Sequence, residues 1–307
     1  MKSYDIAFIG NYTKDRIVDK SGERVVDGGA FNYGANVAAR FGLKTCAVTR
    51  LADEDIHVVK SLEALGIDVF PEYTPDSTRL RLVYPSDNPD ERQIFVDASA
   101  GSFHPDQVTN LYTKTAVVGA SFRGEVGLEV LQALEQRKAA IALDVQGYVR
   151  SVRNGLLVPE PWPEREEVLP LVRFLKADIA EAEILTGSRD LREAARMLAG
   201  MGSKEIVLTH RNGVLVYDGR RFHEAGFFPR RLIGRSGRGD TCIAAYACRR
   251  LMCDPAEATI WAAAITSLKM EGNGPFSSSP GEVEDFMRRE YAYSGYQTNG
   301  SGSTISP

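Results

Sequence analysis

The chain has few of the residues that build metal and disulfide sites. Its four cysteines (Cys46, Cys242, Cys248, Cys253) and four histidines (His57, His104, His210, His223) are scattered over 307 residues. No C-x-x-C pair and no close histidine pair occurs, so zinc-site spacing is missing and buried reduced thiols are expected. G-x-x-x-x-G-K-[ST] and G-x-G-x-x-G are also absent, which removes a P-loop and gives a dinucleotide fold no support. No apolar run approaches the length that spans a bilayer, and residues 1–5 lead straight into a strand-like stretch with no signal-peptide core. A cytoplasmic protein without a membrane partner is expected. The formal net charge of −4 argues against a nucleic-acid partner. Arg230-Arg231 is a local basic patch whose bland reading is a solvated turn.

What remains is an ordinary globular composition, 43% hydrophobic and 25% charged, with short apolar runs alternating with amphipathic segments. Strands are expected at 6–9, 46–51, 116–120, 140–145 and 206–209. Helices are expected at 53–65, with Ile56, Val59, Leu62 and Leu65 on one face, and at 190–201, with Leu191, Ala194, Ala195, Leu198 and Met201 as the stripe. Gly66 and Gly202 follow them as stops. Such alternation implies an α/β fold: a mostly parallel sheet covered by helices, with ligands at the carboxyl ends of its strands. Two stretches break the pattern. Residues 15–27 read as a hairpin about Lys20-Ser21-Gly22, and 78–97 as two β runs about the turn 85–92. These are expected to form a small separate sheet, a lid over the cleft; hairpins decorating the sheet edge are the alternative. One domain over 1–293 is expected, with lid strands from about 11–29 and 76–98. The Ser-, Gly- and Thr-rich 294–307 is expected to be a disordered tail.

Two glycine clusters carry the chemistry. Gly237-Arg238-Gly239-Asp240 stands before a helix-forming run without Gly or Pro. The first N–H groups of a helix lack internal partners and carry the positive end of its dipole, so this turn is an anion cradle. An acid inside it would repel a phosphate unless it takes the proton from an attacking hydroxyl, which makes Asp240 a candidate base. The plain alternative is a helix cap. Gly28-Gly29 feeds a small-residue segment, Ala30 to Gly42, and taken alone reads as a turn before a packed helix.

Together the two clusters resemble the ribokinase-like (PfkB) carbohydrate kinases over roughly residues 4–285. Gly10-Asn11-Tyr12-Thr13-Lys14-Asp15 is similar to the family's first-strand motif, which ends in a substrate-binding Asp. Gly28-Gly29 matches its diglycine, Asp178-Ile179-Ala180-Glu181 its N-x-x-E segment, and Gly237-Arg238-Gly239-Asp240 its G-A-G-D. The resemblance implies an ATP-dependent kinase with a three-layer fold. It implies Asp240 as catalytic base, Gly237 to Asp240 as anion hole, and Asp15, Gly28, Gly29, Asn32, Asn36 and Gln146 toward substrate. It places nucleotide near Thr209, Gly213, Arg238 and the segment 261–270. Mg²⁺ is implied near Asp178, with Glu181 as an outer-shell carboxylate acting through water. Which of Asn32 and Asn36 touches substrate stays open, since the ungapped count puts Tyr33 at the family's Asn.

Departures from the pattern carry information. Arg235-Ser236 replaces an Asp-Thr pair tied to a monovalent-cation site in many members, leaving potassium activation open. Arg238 replaces a small Ala; it either faces solvent or grips phosphate with its planar fork. The G-R-S-G-R-G-D-T-C run and Asp144-Val145-Gln146-Gly147 are most similar to a subgroup that includes a myo-inositol kinase, so a polyol or sugar substrate, myo-inositol first, is expected. A sugar or nucleoside kinase of the same fold is the alternative, and a silent polyol-binding or sensor protein is the alternative of another class. A homodimer through the lid is expected from its uncovered side.

Overall fold

The computed structural model describes residues 2–86, 92–234 and 236–292. The expected tail at 294–307, Arg235 and the middle of the 85–92 turn lie outside the described residues. In chain order the strands are β1 (Ser3–Ile9), β2 (Thr13–Asp19), β3 (Gly22–Gly28), β4 (Thr45–Leu51), β5 (Asp68–Tyr73), β6 (Thr78–Val83), β7 (Gln93–Ala98), β8 (Tyr112–Gly119), β9 (Ala140–Asp144), β10 (Arg150–Arg153), β11 (Leu156–Pro159), β12 (Val172–Asp178), β13 (Glu205–His210), β14 (Gly213–Tyr217) and β15 (Phe222–Gly226). They build two sheets.

The larger sheet has the order β15-β14-β13-β12-β9-β8-β1-β4-β5. It is parallel from β13 to β5; β14 alone is reversed, pairing antiparallel with β13 on one side and β15 on the other. Its strands are apolar on both faces because helices cover both. Ile6 and Phe8 of β1 face one core, with the helices Ala30–Arg40, Arg238–Arg250, Pro255–Met270 and Pro280–Glu290. Ala7 and Ile9 face the other, with Leu128–Gln136, Ile179–Thr186 and Leu191–Gly200. The result is a three-layer α/β/α body whose strand carboxyl ends share one rim.

The smaller sheet has the order β10-β11-β7-β6-β2-β3. Both expected hairpins are in it, joined by the parallel β2–β6 pair. A third hairpin, β10–β11, extends the sheet through the single Leu156–Phe95 pairing. Its turn is Asn154-Gly155 with φ of 51° and 80°, the left-handed pair that suits a two-residue hairpin.

One helix face departs from expectation. The segment at 53–65 opens with a tight 3₁₀ turn, Asp53–Asp55, before the helix Ile56–Glu63. That changes which face packs inward. Val58, Val59 and Leu62 are buried, while Ile56 and Leu65 stand 37% and 40% exposed. At 190–201 the expectation matches: Asp190 caps the helix by accepting from Glu193 N, and Ala194, Ala195 and Leu198 are buried. All four cysteines are buried and unpaired.

Candidate active site

The helix Arg238–Arg250 begins at Gly237, whose φ of 74° a residue with a side chain adopts only at a cost. A Cβ at Gly237 would also collide with the ring of Tyr33. No side chain caps this helix start, so its first N–H groups face the rim unpaired within the helix. Asp240 lies in that first turn, half-buried, against the carboxyl end of β8: a methyl group on Gly119 would lie 4.0 Å from its Oδ1. Burial pushes the Asp240 carboxyl up from its ordinary value; Lys176 opposes this most, and Asp15 and Glu181 reinforce it. Lys269, itself pushed down to about 8 by burial, also opposes it and donates to Gly234 O at 3.3 Å.

The second expected acid comes from the smaller sheet. Asp15 on β2 is 8% exposed and burial pushes its carboxyl up to about 6, against a hydrogen bond from Thr13. Its Oδ1 has no hydrogen-bond partner, an expensive state for a buried carboxylate oxygen unless a ligand supplies a donor. Gly28 must be glycine here, because a Cβ would strike Thr13 Oγ1 and lie 2.8 Å from Asp15 Oδ2. Gly29 has φ 96° and lies against Asn11 O. Asn32, the third residue of the helix Ala30–Arg40, is buried, and Asn36 donates to Asn32 Oδ1 at 3.1 Å and to Asn32 O at 3.0 Å. The amide of Asn36 is thereby committed to orienting Asn32.

Sequence reasoning missed the buried ion cluster beneath the cradle. Lys176 on β12 reaches Asp144 at 3.0 Å and Glu181 at 3.5 Å, and all three are 3% exposed. Arg150, the first residue of β10, donates to Glu181 Oε1 at 3.0 Å. Burial would push Lys176 down, but the carboxylates of Asp144 and Glu181 outweigh it and hold the ammonium well above its usual range. The signal was a lysine inside the apolar run Phe174-Leu175-Lys176-Ala177, where an unpaired charge does not survive. Gln146 joins through its backbone N–H, which donates to Asp144 Oδ1 at 3.0 Å.

Asp178 and Glu181 form a reciprocal capping box at the start of Ile179–Thr186. Both oxygens of Glu181 are engaged, Oε1 by Arg150 and Oε2 by Asp178 N and Lys176. Among the described residues no three acidic, histidine or cysteine side chains meet as a metal cage. This donor set fits a magnesium ion carried on phosphate oxygens and touched by the protein through water, since magnesium dehydrates reluctantly.

Thr209 and Gly213 flank the β13–β14 turn, both buried. Gly213 is glycine because a Cβ would collide with Ala225 O of β15. The residues between them reach further: Arg211 and Asn212, with Phe227, Pro229, Leu232, Arg238 and Met270, line a cavity of about 230 Å³ beside the cradle. A larger hollow of about 680 Å³, with Lys2, Tyr4 and Asp68 in its wall, lies at the opposite, amino-terminal strand ends and contains no site residue.

A phosphate cradle at strand carboxyl ends, an acid inside it and a second sheet bearing another acid define a small-molecule phosphotransferase of the ribokinase-like fold. Residues 4–280 match the pfkB family carbohydrate kinases, and the chain belongs to that family, phosphotransferases with a hydroxyl acceptor. Among solved structures it is similar to a pyrophosphate-dependent kinase of the ribokinase family complexed with a pyrophosphate analog and myo-inositol. The two are 32% identical with a TM-score of 0.84, covering 91% of this chain and 99% of the other. Arabidopsis thaliana ribokinase complexed with ribose and ATP shares the fold at 18% identity and TM-score 0.74, over 94% and 99% of the two chains. Among curated proteins it is 27% identical to a cytidine kinase of Thermococcus kodakarensis, over 77% of this chain and 84% of that protein. No helix among the described residues is long and apolar enough to cross a membrane.

Proposed function

We propose that this kinase phosphorylates a hydroxyl of a cyclic polyol of the myo-inositol type, with inorganic pyrophosphate as donor. The observation that carries the donor reading is the 230 Å³ cavity at the cradle, with Arg211 and Arg238 in its wall. Pockets for drug-sized ligands run to about 300–1,000 Å³, so this one suits a compact polyanion such as pyrophosphate better than a nucleotide. Guanidinium groups match phosphate oxygens in pairs. The likeness at 32% identity to a pyrophosphate-dependent kinase points the same way.

In this reading Asp240 accepts the proton of the attacking hydroxyl. The N–H groups from Gly237 to Asp240, with Arg238, meet the charge gathering on the transferred phosphoryl group. Magnesium, when bound with the donor, would offset phosphate charge, with Asp178 reaching it through water. Asp15, with its unpartnered oxygen, and Asn32, held by Asn36, receive acceptor hydroxyls. A site of buried polar groups rejects an analogue that leaves one unpaired. The smaller sheet would close over the acceptor and keep out water, which competes for the phosphoryl group. It also supports a homodimer: β3 is its edge strand among the described residues and exposes Val25 at 58%.

ATP with a nucleoside or sugar is the second reading. The apolar wall of Phe227, Leu232 and Met270, which would suit a nucleobase, and the cytidine kinase relative favour it. Turnover of myo-inositol, ribose and cytidine with either pyrophosphate or ATP, followed as phosphate or ADP release, separates the readings. Pyrophosphate with inositol is expected to give the highest kcat/KM; ATP with cytidine doing so would overturn the proposal.

A further inference from the structure

We propose that Lys176 is the fixed cation beneath the anion cradle, and that Asp144, Glu181 and Arg150 serve to hold its ammonium there. The inference concerns the phosphoryl-transfer step itself and is independent of which donor and acceptor are used.

The two glycines of the cradle differ in why they are glycine. Gly237 has a left-handed backbone, φ 74°, whereas Gly239 is an ordinary residue in the first helical turn and has no positive φ. Helices disfavour glycine, so Gly239 needs another reason. That reason is Lys176: a methyl group on Gly239 would lie 2.8 Å from Lys176 Nζ and 3.6 Å from Asp144 Oδ2. The ammonium occupies the space a side chain at 239 would take, directly against the backbone that cradles the anion.

Packing does not explain the cluster. Burying an ammonium with two carboxylates is no better for stability than burying neutral groups of the same shape, and often worse. A buried ionic cluster beside a reaction centre is better explained by the field it supplies. Here Lys176 Nζ lies 3.0 Å from Asp144 and 3.5 Å from Glu181, and Arg150 shares Glu181 at 3.0 Å, so the two acids are not spent on the ammonium alone. Lys176 is also the strongest of the charges that favour ionised Asp240 against burial. In a dry site such a preset charge acts on the phosphoryl group with little screening and no reorganisation. No contact between Lys176 and the reacting atoms is required, so it is a positioning residue for charge.

The test uses the full chain with Lys176→Met and Asp144→Asn combined, which removes the ion pair without stranding a buried carboxylate. If the cluster were only structural, this neutral pair would leave turnover intact. The proposal expects an unchanged melting temperature within a few degrees, acceptor KM within about threefold, and kcat lower by about a hundredfold or more, as for loss of one oxyanion donor. Calorimetric affinity for inorganic phosphate should fall about tenfold. That readout needs neither substrate and stands even if the inositol–pyrophosphate reading fails. A folded double variant with kcat within fivefold of the parent and undiminished phosphate affinity would overturn it. Should the double variant not fold, Gly239→Ala carries the test, since it displaces the ammonium while suiting the helix. Its kcat should fall at least about tenfold, and unchanged turnover would overturn the proposal.

Discussion

Two carboxylates face the cleft from opposite sides, and burial pushes both upward, yet their surroundings differ. Asp240 lies at the positive end of a helix with Lys176 and Lys269 among the charges that reach it. Asp15 lies on the smaller sheet, where Thr13 and Arg92 oppose burial and Asp27 adds to it. A carboxylate among fixed cations can remain ionised and still take up a proton as negative charge leaves the acceptor. One held by a hydroxyl, with one oxygen unpartnered, is suited to receive a hydrogen bond. The same residue type is thereby split into a base and a binding group by its neighbours.

The largest expected effect tests the first half of that comparison. Asp240→Asn removes the base and keeps the cradle, so kcat should drop by at least about a hundredfold while donor affinity changes little. In the parent enzyme kcat should fall on the acid side as Asp240 is protonated, and this limb should be lost from the variant's residual activity. Near-parental turnover would transfer the role of base elsewhere, with Asp15 the first rival.

The contrast also marks what was legible in one sequence. Asp240, Asp15 and both glycine pairs lie within short motifs whose geometry is local, so a turn and its adjacent helix announce them. Asp144 and Arg150 lie on one short run, but Lys176 and Glu181 come from the next strand and helix, and only the parallel β9–β12 pairing sets Lys176 beside Asp144. Arg211 and Asn212 are hidden for another reason: they form the two-residue turn between His210, the end of β13, and Gly213, the start of β14, and a turn this short has no periodicity to mark its side chains. The third hairpin was legible and was missed. Its Asn154-Gly155 turn is a strong short-range hairpin signal, but the flanking Arg150-Ser151-Val152-Arg153 is too polar to stand out as a strand. In the stripe at 56–65, Val59 and Leu62 are buried as expected, while Ile56 and Leu65 are exposed because a 3₁₀ turn opens the segment, which an unbroken 3.6-residue period does not anticipate.

The next effect comes from the other acid. Asp15→Asn should raise acceptor KM about tenfold or more, with a smaller change in kcat, because a charged hydrogen bond to the acceptor is weakened. The same change should stabilise the protein. Since Asp15 titrates near 6 when folded and near 3.8 when unfolded, the native state binds more protons between those values, and stability falls as pH rises through that window. Above pH 6 the buried charge costs up to about 3 kcal/mol, which Asn removes. Melting curves should show the variant ahead by a few degrees at pH 8 and level with the parent near pH 4. A variant less stable than the parent at pH 8 would mean that Asp15 is a structural anchor and not a site group whose burial is tolerated for binding.

The smallest effect asks whether the acceptor half is supported from behind as the donor half is. Asn36 donates to both the side chain and the backbone carbonyl of Asn32, one helical turn away. Asn36→Ala would leave Asn32 in place, with its amide held only by the long 3.4 Å bond that its Nδ2 donates to Asp27 O. A neutral hydrogen bond of this kind is worth about 1 kcal/mol, so acceptor KM should rise by about two- to fivefold. Because Asn36 lies on the acceptor side and away from the cradle, kcat and the apparent affinity for donor should remain as in the parent. Steady-state kinetics with each substrate varied in turn separates these quantities. If Asn36→Ala lowered kcat and left acceptor KM alone, Asn32 would belong with Asp240 and the cradle. The division of the cleft into a binding half and a reacting half would then have to be redrawn through the helix Ala30–Arg40.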